Sequence, residues 1–486
     1  MASKNKKSDL TRRTFLRTGT ASAALLGSGI WTGDALRAAT TTKLVGGEEG
    51  EARNVIFLVS DGMSSGTIAL ADIMLRRRDG KSSNWMKLYD RPDIRRGLMD
   101  MASLDSVVTD SAAASSSWGC GYRINNGGVN WGPNDEEYTP VLKYFTDAGK
   151  GTGLVTTTTI THATPAGFGA NVPSRFEQET IAEQYLERGY DVLLGGGNMF
   201  YDKDMRSDGR DLYNSYKEAG YHVVRKKQAL FDLEQNNKRL LGIFYDGHVP
   251  YTLDHINTRE YQEDIPTLAE MTKIALNRLS RSRNGFIMQV EGGRVDHAAH
   301  RNDVGGLIFD QIAFDDAVGV AMEFAEESPD TLVIVTTDHG NANPGLNGQG
   351  LGYQDSNTNF DRIQNFKHTN NWVLTELNEE STTNQIRERI EEATGIQITG
   401  KEAVALQDSY RGMYEAVYSM MNRPNAVLGQ ILANYTSVNW IGTAHTADYV
   451  ELAAFGPGSE AIKPFTRNTE LFDVMTHAAG VEVTAR

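Results

Sequence analysis

The stretch VVTDSAAASSSWGCG, Val107 to Gly121, sets a single hydroxyl, Ser111, directly after a carboxylate, Asp110, and follows it with alanines and serines. Small residues let a helix N-terminus lie close to a ligand, and that end carries unpaired N–H groups and partial positive charge that suit an anion. Thr109, Asp110 and Ser111 are also good capping types, so taken alone the stretch reads first as an N-cap. Four other stretches change that reading. NVIFLVSDGM ends in Asp61; GLVTTTTITHATP ends in His162 and Thr164; GFIMQVEGGRVDHAAH runs into Glu291 and on to Asp296, His297 and His300; TLVIVTTDHGN ends in Asp338 and His339.

If these residues share one cleft, their carboxylates repel strongly unless cations neutralise them. The donor types are those of zinc (His, Asp) and of magnesium (Asp, Glu, a Thr hydroxyl). In DHAAH, Asp296 and His300 are four apart and lie on one face of a helical turn, where they can share an ion. Asp338 and His339 are adjacent and would point oppositely along a regular strand, so a turn permitted by Gly340 is expected to bring both onto one ion. Buried carboxylates without partners are too costly to accumulate, which favours a metal cluster over coincidence.

The elements that must hold these residues are legible as well. The runs before Asp61, His162, Glu291 and Asp338 are continuously apolar or β-branched, not alternating, which predicts strands buried on both faces of a mostly parallel sheet. Pro266 to Ser282 and Leu307 to Glu327 carry apolar residues at helical spacing and supply covering helices. In such sheets ligands bind beyond the carboxyl ends of the strands, where the acids and imidazoles are expected to meet.

At this point the chain resembles an alkaline phosphatase of the two-zinc, one-magnesium type. The motifs SDGM, TDSAA, THATPAGFGANVPSR, VLLGGGNMF, VEGGRVDHAAH, TTDHG and AHTAD occur in that order. The resemblance implies that Asp296, His300 and His445 hold a first zinc, and that Asp61, Asp338 and His339 hold a second beside Ser111. Asp61 would also face a magnesium site completed by Thr164 and Glu291. Arg175, in VPSR, matches the arginine that forks onto phosphoryl oxygens, a role that Lys geometry serves poorly. Ser111 then reads as a nucleophile that forms a phosphoserine and caps its helix as well. The enteric bacterial enzyme has Asp and Lys where this chain has His162 and His297, a pair closer to the animal enzymes. These histidines either alter the third site, opening it to zinc or cobalt, or act as outer supports. The implied fold is α/β, a large mostly parallel sheet with helices on both faces and a partly helical insertion.

The chain has 486 residues and a formal charge of -15. Residues 1–39 carry seven Lys/Arg against two Asp/Glu, so the remainder is more acidic still. That balance argues against nucleic acid or an anionic membrane as partner, and an anionic substrate needs a local attractor such as a metal. Arg12 and Arg13 precede an apolar stretch too short to cross about 30 Å of hydrocarbon, and the segment resembles a twin-arginine export signal cleaved after Ala35 or Ala39. Export to the periplasm or medium without a stable membrane anchor follows. Cys120 is the only cysteine, so no internal disulfide is possible.

The expected layout is a signal over 1–39, a catalytic core over 50–340, an insertion over 341–439 serving as lid or crown, and a return to the core over 440–486. Two helices are expected in the insertion, at NQIRERIEEATG and RGMYEAVYSMMN. His222, His248, His255, His368 and His477 lie outside the motifs and read as surface or packing residues. The favoured activity is hydrolysis of small phosphate monoesters, with a homodimer suggested by the resemblance alone. A phosphodiesterase on the same scaffold, or a non-catalytic metal or phosphate binder, is the alternative. The C/S-x-P-x-R motif of sulfatases is absent around Ser111.

Overall fold

The computed structural model describes residues 51–233 and 238–483; the export-signal expectation over 1–39 lies outside them. Fourteen strands are described. In chain order they are β1 (Asn54–Val59), β2 (Arg95–Asp100), β3 (Gly151–Thr159), β4 (Val192–Gly196), β5 (His222–Val224), β6 (Leu240–Ile243), β7 (Phe286–Glu291), β8 (Thr331–Thr336), β9 (Gly340–Asn341), β10 (Gly345–Leu346), β11 (Val438–Asn439), β12 (His445–Thr446), β13 (Val450–Phe455) and β14 (Phe465–Arg467).

Ten of them form one sheet in the order β14-β2-β13-β8-β1-β7-β3-β4-β6-β5. Every neighbouring pair is parallel except those made by β13, which runs antiparallel to both β2 and β8. The four site-bearing strands are the contiguous centre, β8-β1-β7-β3, and all their residues are buried. Burial on both faces is why these runs lack alternation. The expected helices form at Leu268–Leu279, started by a Thr267–Glu270 capping box, and at Val304–Glu327, capped by Asp303.

Two short helices, Ser111–Cys120 and Ala163–Gly169, lie against each other and against β1. Phe57 of β1 packs on Trp118 and Phe168, with ring centroids 5.0 and 5.1 Å away. The approach requires small residues: a Cβ on Gly119 would sit 1.9 Å from the Gly167 carbonyl oxygen, and one on Gly167 would sit 2.2 Å from Ser115 Oγ. The alanines and serines after Ser111 therefore serve this contact as much as any ligand.

The segment 341–439 is largely helical, with helices at Asp355–Asp361, Asn370–Thr375, Thr383–Thr394, Gly400–Tyr410 and Pro424–Thr436. The first of the two helices expected there forms. The second does not: Arg411 to Asn422 is irregular apart from a single 3₁₀ turn at Ser419–Asn422, because Gly412 adopts a left-handed φ of 66° and ends the preceding helix. The two ends of the segment meet, since β9 pairs with β12 and β10 pairs with β11. A hundred residues of separation thus bring His445 back beside His339. Among the described residues no helix is long and apolar enough to cross a membrane.

Candidate metal centre and nucleophile

Asp61, His162, Thr164, Glu291, Asp296, His297, His300, Asp338 and His339 lie at or just beyond the carboxyl end of a central strand or on the helix that follows it, whereas Ser111 opens the helix after β2, Arg175 lies in the loop after the helix Ala163–Gly169, and His445 is on β12. Among the described residues, three groups of acids and imidazoles are close enough to share ions: Asp296 with His300 and His445, Asp61 with Asp338 and His339, and Asp61 with His162 and Glu291.

The first group is built on the helix Arg294–His300, which puts Asp296 and His300 on one face as their spacing predicts. His300 Nδ1 lies 2.7 Å from the Thr443 carbonyl oxygen, and His445 Nδ1 lies 2.8 Å from that of Thr109. A carbonyl only accepts, so in the neutral rings both protons are on Nδ1 and both Nε2 atoms present lone pairs. Those two Nε2 atoms face each other at 3.0 Å, with Asp296 oxygens 3.4 and 3.6 Å away. Lone pairs and a carboxylate converging this closely fit a cation, oriented in the way carbonyl-anchored histidines orient metal ligands. Burial pushes the Asp296 carboxyl up, but the imidazoles of His300, His445 and His339, when they carry charge, outweigh it and hold the group well below the usual carboxylate range.

The second group is fully buried. Strand β8 stops at Thr336, and Asp338 and His339 lie in the loop beyond it. The chain turns beyond the strand end so that both side chains converge, without a positive φ at Gly340. His339 Nε2 lies 3.3 Å from Asp338 Oδ2, 3.5 Å from Asp61 Oδ1 and 3.3 Å from Ser111 Oγ. Gly62 permits the packing: its φ is 71°, and a Cβ there would lie 2.5 Å from Asp296 Oδ1. Asp338 Oδ1 accepts from the Gly62 and His339 N–H groups, but Asp338 Oδ2 and Asp61 Oδ1 are buried without a donor. Burial, then the charges of Asp338, Asp296 and Glu291, push the Asp61 carboxyl up; burial pushes Asp338 up to about 7. Burial and neighbouring His445 push His339 down, leaving a neutral ring able to donate a lone pair.

In the third group, Thr164 Oγ1 donates to Asp61 Oδ2 at 3.2 Å, and Glu291 Oε2 accepts from Thr156 and Thr158 while Oε1 has no donor. His162 Nδ1, also without a partner, is 3.7 Å from Glu291 Oε1. His297 is adjacent, its ring centroid 5.7 Å from that of His162, and its Nδ1 accepts from Arg294 Nη1 at 2.7 Å.

Ser111 opens its helix without capping it. Asp110 is the N-cap, accepting from the Ala113 N–H at 2.9 Å, and its other oxygen accepts from Arg175 Nη1 at 3.0 Å. One carboxylate thus both starts the helix and holds the guanidinium. His248, expected as a surface or packing residue, packs beside the third group, its ring centroid 4.5 Å from that of His297 and its Nδ1 accepting from the Thr159 N–H. His255 and His368 are packing residues, bonded to the Ile265 carbonyl and to Asp254.

The family model described as "Alkaline phosphatase" matches residues 52–481. Alkaline phosphatase 4 of Bacillus subtilis is 31% identical over 466 residues, 94% of this chain and 95% of that protein. The alkaline phosphatase of Escherichia coli is 30% identical over 336 residues, 60% of this chain and 70% of that one. The crystal structure of Thermus thermophilus alkaline phosphatase has a TM-score of 0.84 and 34% identity, covering 94% of this chain and 96% of its own.

Proposed function

Because the chain belongs to the alkaline phosphatase family and is a metal-dependent phosphomonoesterase, we propose that it works through a phosphoserine at Ser111, with zinc in the first two groups and magnesium, zinc or cobalt in the third. The observation that carries this reading is the first group, where two imidazole nitrogens and a carboxylate converge within 3.0 to 3.6 Å, an arrangement suited to a shared cation. Asp296, His300 and His445 would hold one ion; Asp61, Asp338 and His339 the second; Asp61, Thr164 and Glu291 the third, with His162 and His297 beside it. When bound, such ions neutralise the carboxylates, lower the pKa of a coordinated hydroxyl and stabilise a departing alkoxide.

The chain's own residues do the rest. The helix Ser111–Cys120 holds Ser111 Oγ in the cleft, 3.3 Å from His339 Nε2. Ser111 Oγ loses its proton and bonds to phosphorus in line, the ester P–O bond breaks, and the alcohol leaves with the electron pair and a proton. Arg175, anchored by Asp110, binds the phosphoryl oxygens. Water then attacks phosphoserine, freeing phosphate and restoring Ser111. The reading also takes 50–340 and 440–486 as the catalytic core with 341–439 as an insertion, and takes 1–39 as a twin-arginine signal.

A chromogenic aryl phosphate tests the activity directly. Turnover that is abolished by chelator and restored by zinc with magnesium is expected; turnover indifferent to chelator would contradict the metal assignment. Metal analysis should find two tightly held ions per chain and a third held more loosely. Replacing Arg12 and Arg13 by Lys should retain precursor in the cytoplasm, since a twin-arginine signal is a receptor-read address and not an anchor, and normal export of that variant would overturn the signal.

A further inference from the structure

We infer that His162 is a positioning residue for Arg175, and that the choice of cation in the third group decides whether that arginine is free to grip phosphate. The inference rests on the reading of Arg175 and of the third group given above.

Both terminal nitrogens of Arg175 are engaged: Nη1 donates to Asp110 Oδ2 at 3.0 Å, and Nη2 lies 3.0 Å from His162 Nε2. A guanidinium has no acceptor, so this second contact exists only when His162 Nε2 carries the lone pair. In the neutral ring the proton is then on Nδ1. That atom is buried, has no partner, and lies 3.7 Å from the equally unpartnered Glu291 Oε1, in the group that includes Asp61. One face of the imidazole therefore looks into the third group and the other holds the arginine.

The two faces exclude each other. A cation bound through Nδ1 needs the lone pair there, which moves the ring proton to Nε2; no proton is gained or lost. Nε2–H then confronts the Nη2–H of Arg175, two donors that cannot bond, and the guanidinium is released toward phosphate. Magnesium prefers oxygen ligands and keeps its waters, whereas zinc takes imidazole readily. With magnesium the ring keeps its Nδ1 proton and Arg175 stays tied; with zinc it is freed. Both ions carry the same charge, so their long-range attraction for phosphate cancels in the comparison.

The test uses holoenzyme with zinc in the first two groups and either magnesium or zinc in the third. Imidazole ¹⁵N NMR should report Nδ1–H on His162 in the magnesium form and Nε2–H in the zinc form. Inorganic phosphate, titrated calorimetrically, should bind roughly tenfold tighter in the zinc form, the scale of one charge-assisted hydrogen bond. In His162→Gln the amide oxygen replaces Nε2 and still holds Arg175, so phosphate should bind weakly with either ion. In His162→Asn the amide stands at the Nδ1 position, Arg175 keeps only its Asp110 anchor with Nη2 free, and phosphate should bind tightly with either ion. The same tautomer in both wild-type forms, or equal phosphate affinity in the Asn and Gln variants, would overturn the inference. Phosphate binding unchanged by Arg175→Ala would instead remove the reading of Arg175 beneath it.

Discussion

Two clusters of buried acids make an instructive pair. At the junction of the 341–439 segment with the sheet's helices, Asp254 accepts from His368 Nδ1, the Thr369 N–H and Thr369 Oγ1; Asp303 accepts from the Gly306 and Asn370 N–H groups; Asp310 accepts from the N–H and hydroxyl of Thr252. Every carboxylate there has donors. In the cleft, Asp61 Oδ1, Asp338 Oδ2 and Glu291 Oε1 are equally buried and have none. Titration does not separate the two, because burial pushes Asp303 and Asp310 up to about 7 just as it does Asp338. Counting donors does. Saturated acids hold structure together, and unsaturated ones await a cation.

That contrast breaks most visibly at Ser111. Ser111→Ala should lower turnover of an aryl phosphate by orders of magnitude while the loaded protein keeps its metal content and melting temperature, since the hydroxyl acts in the transition state. A variant that loses its metals or melts early would move Ser111 from the chemistry to the scaffold.

Chelation should abolish activity and lower the melting temperature together, because the cleft acids repel once unneutralised. The loss should depend on pH with a definite sign. Folding raises the pKa of Asp61 and carries that of Asp338 up to about 7, so above the ordinary carboxylate value the folded chelated chain holds protons that the unfolded chain has released. Their contribution to stability therefore falls as pH rises through that window, and it is absent while a cation keeps both acids ionised. The gap in melting temperature between loaded and chelated enzyme should widen from about pH 5 to pH 8, checked by calorimetry. A gap that narrows on that path would contradict the cation reading.

The junction should respond oppositely to the cleft. Asp303→Ala strands the Gly306 and Asn370 N–H groups and should cost about 1–3 kcal/mol in denaturant unfolding, with turnover per folded molecule largely kept. The smallest effect is expected at His297. His297→Lys places an ammonium near the phosphate site and should tighten phosphate inhibition a few-fold at alkaline pH and lower the maximal rate; unchanged inhibition would mean that this side chain does not sense phosphate.

How much of this was legible in the sequence follows from the same physics. The four central strands announced themselves because burial on both faces demands continuous apolar runs, and the ligating types followed because their strands end on one edge. Asp296 and His300 were readable from helical spacing. His445 was not readable from spacing, since its place depends on β9 and β12 closing a long excursion, and it came only through the resemblance. The role of Asp110 as cap and arginine anchor, and the arrival of His248 beside His297, depend on contacts between distant segments that no local pattern encodes. The helix expected at Arg411 to Asn422 failed on one glycine.

The central question is whether the serine in the cation-demanding cleft is the nucleophile. Enzyme mixed with inorganic phosphate at acidic pH, then denatured, digested and analysed by mass spectrometry, reads this out, because slow hydrolysis of the intermediate lets it accumulate. One phosphoryl group is expected on the peptide that begins the helix Ser111–Cys120, located on Ser111 and absent from Ser111→Ala. No adduct, or an adduct on Thr109, would contradict it.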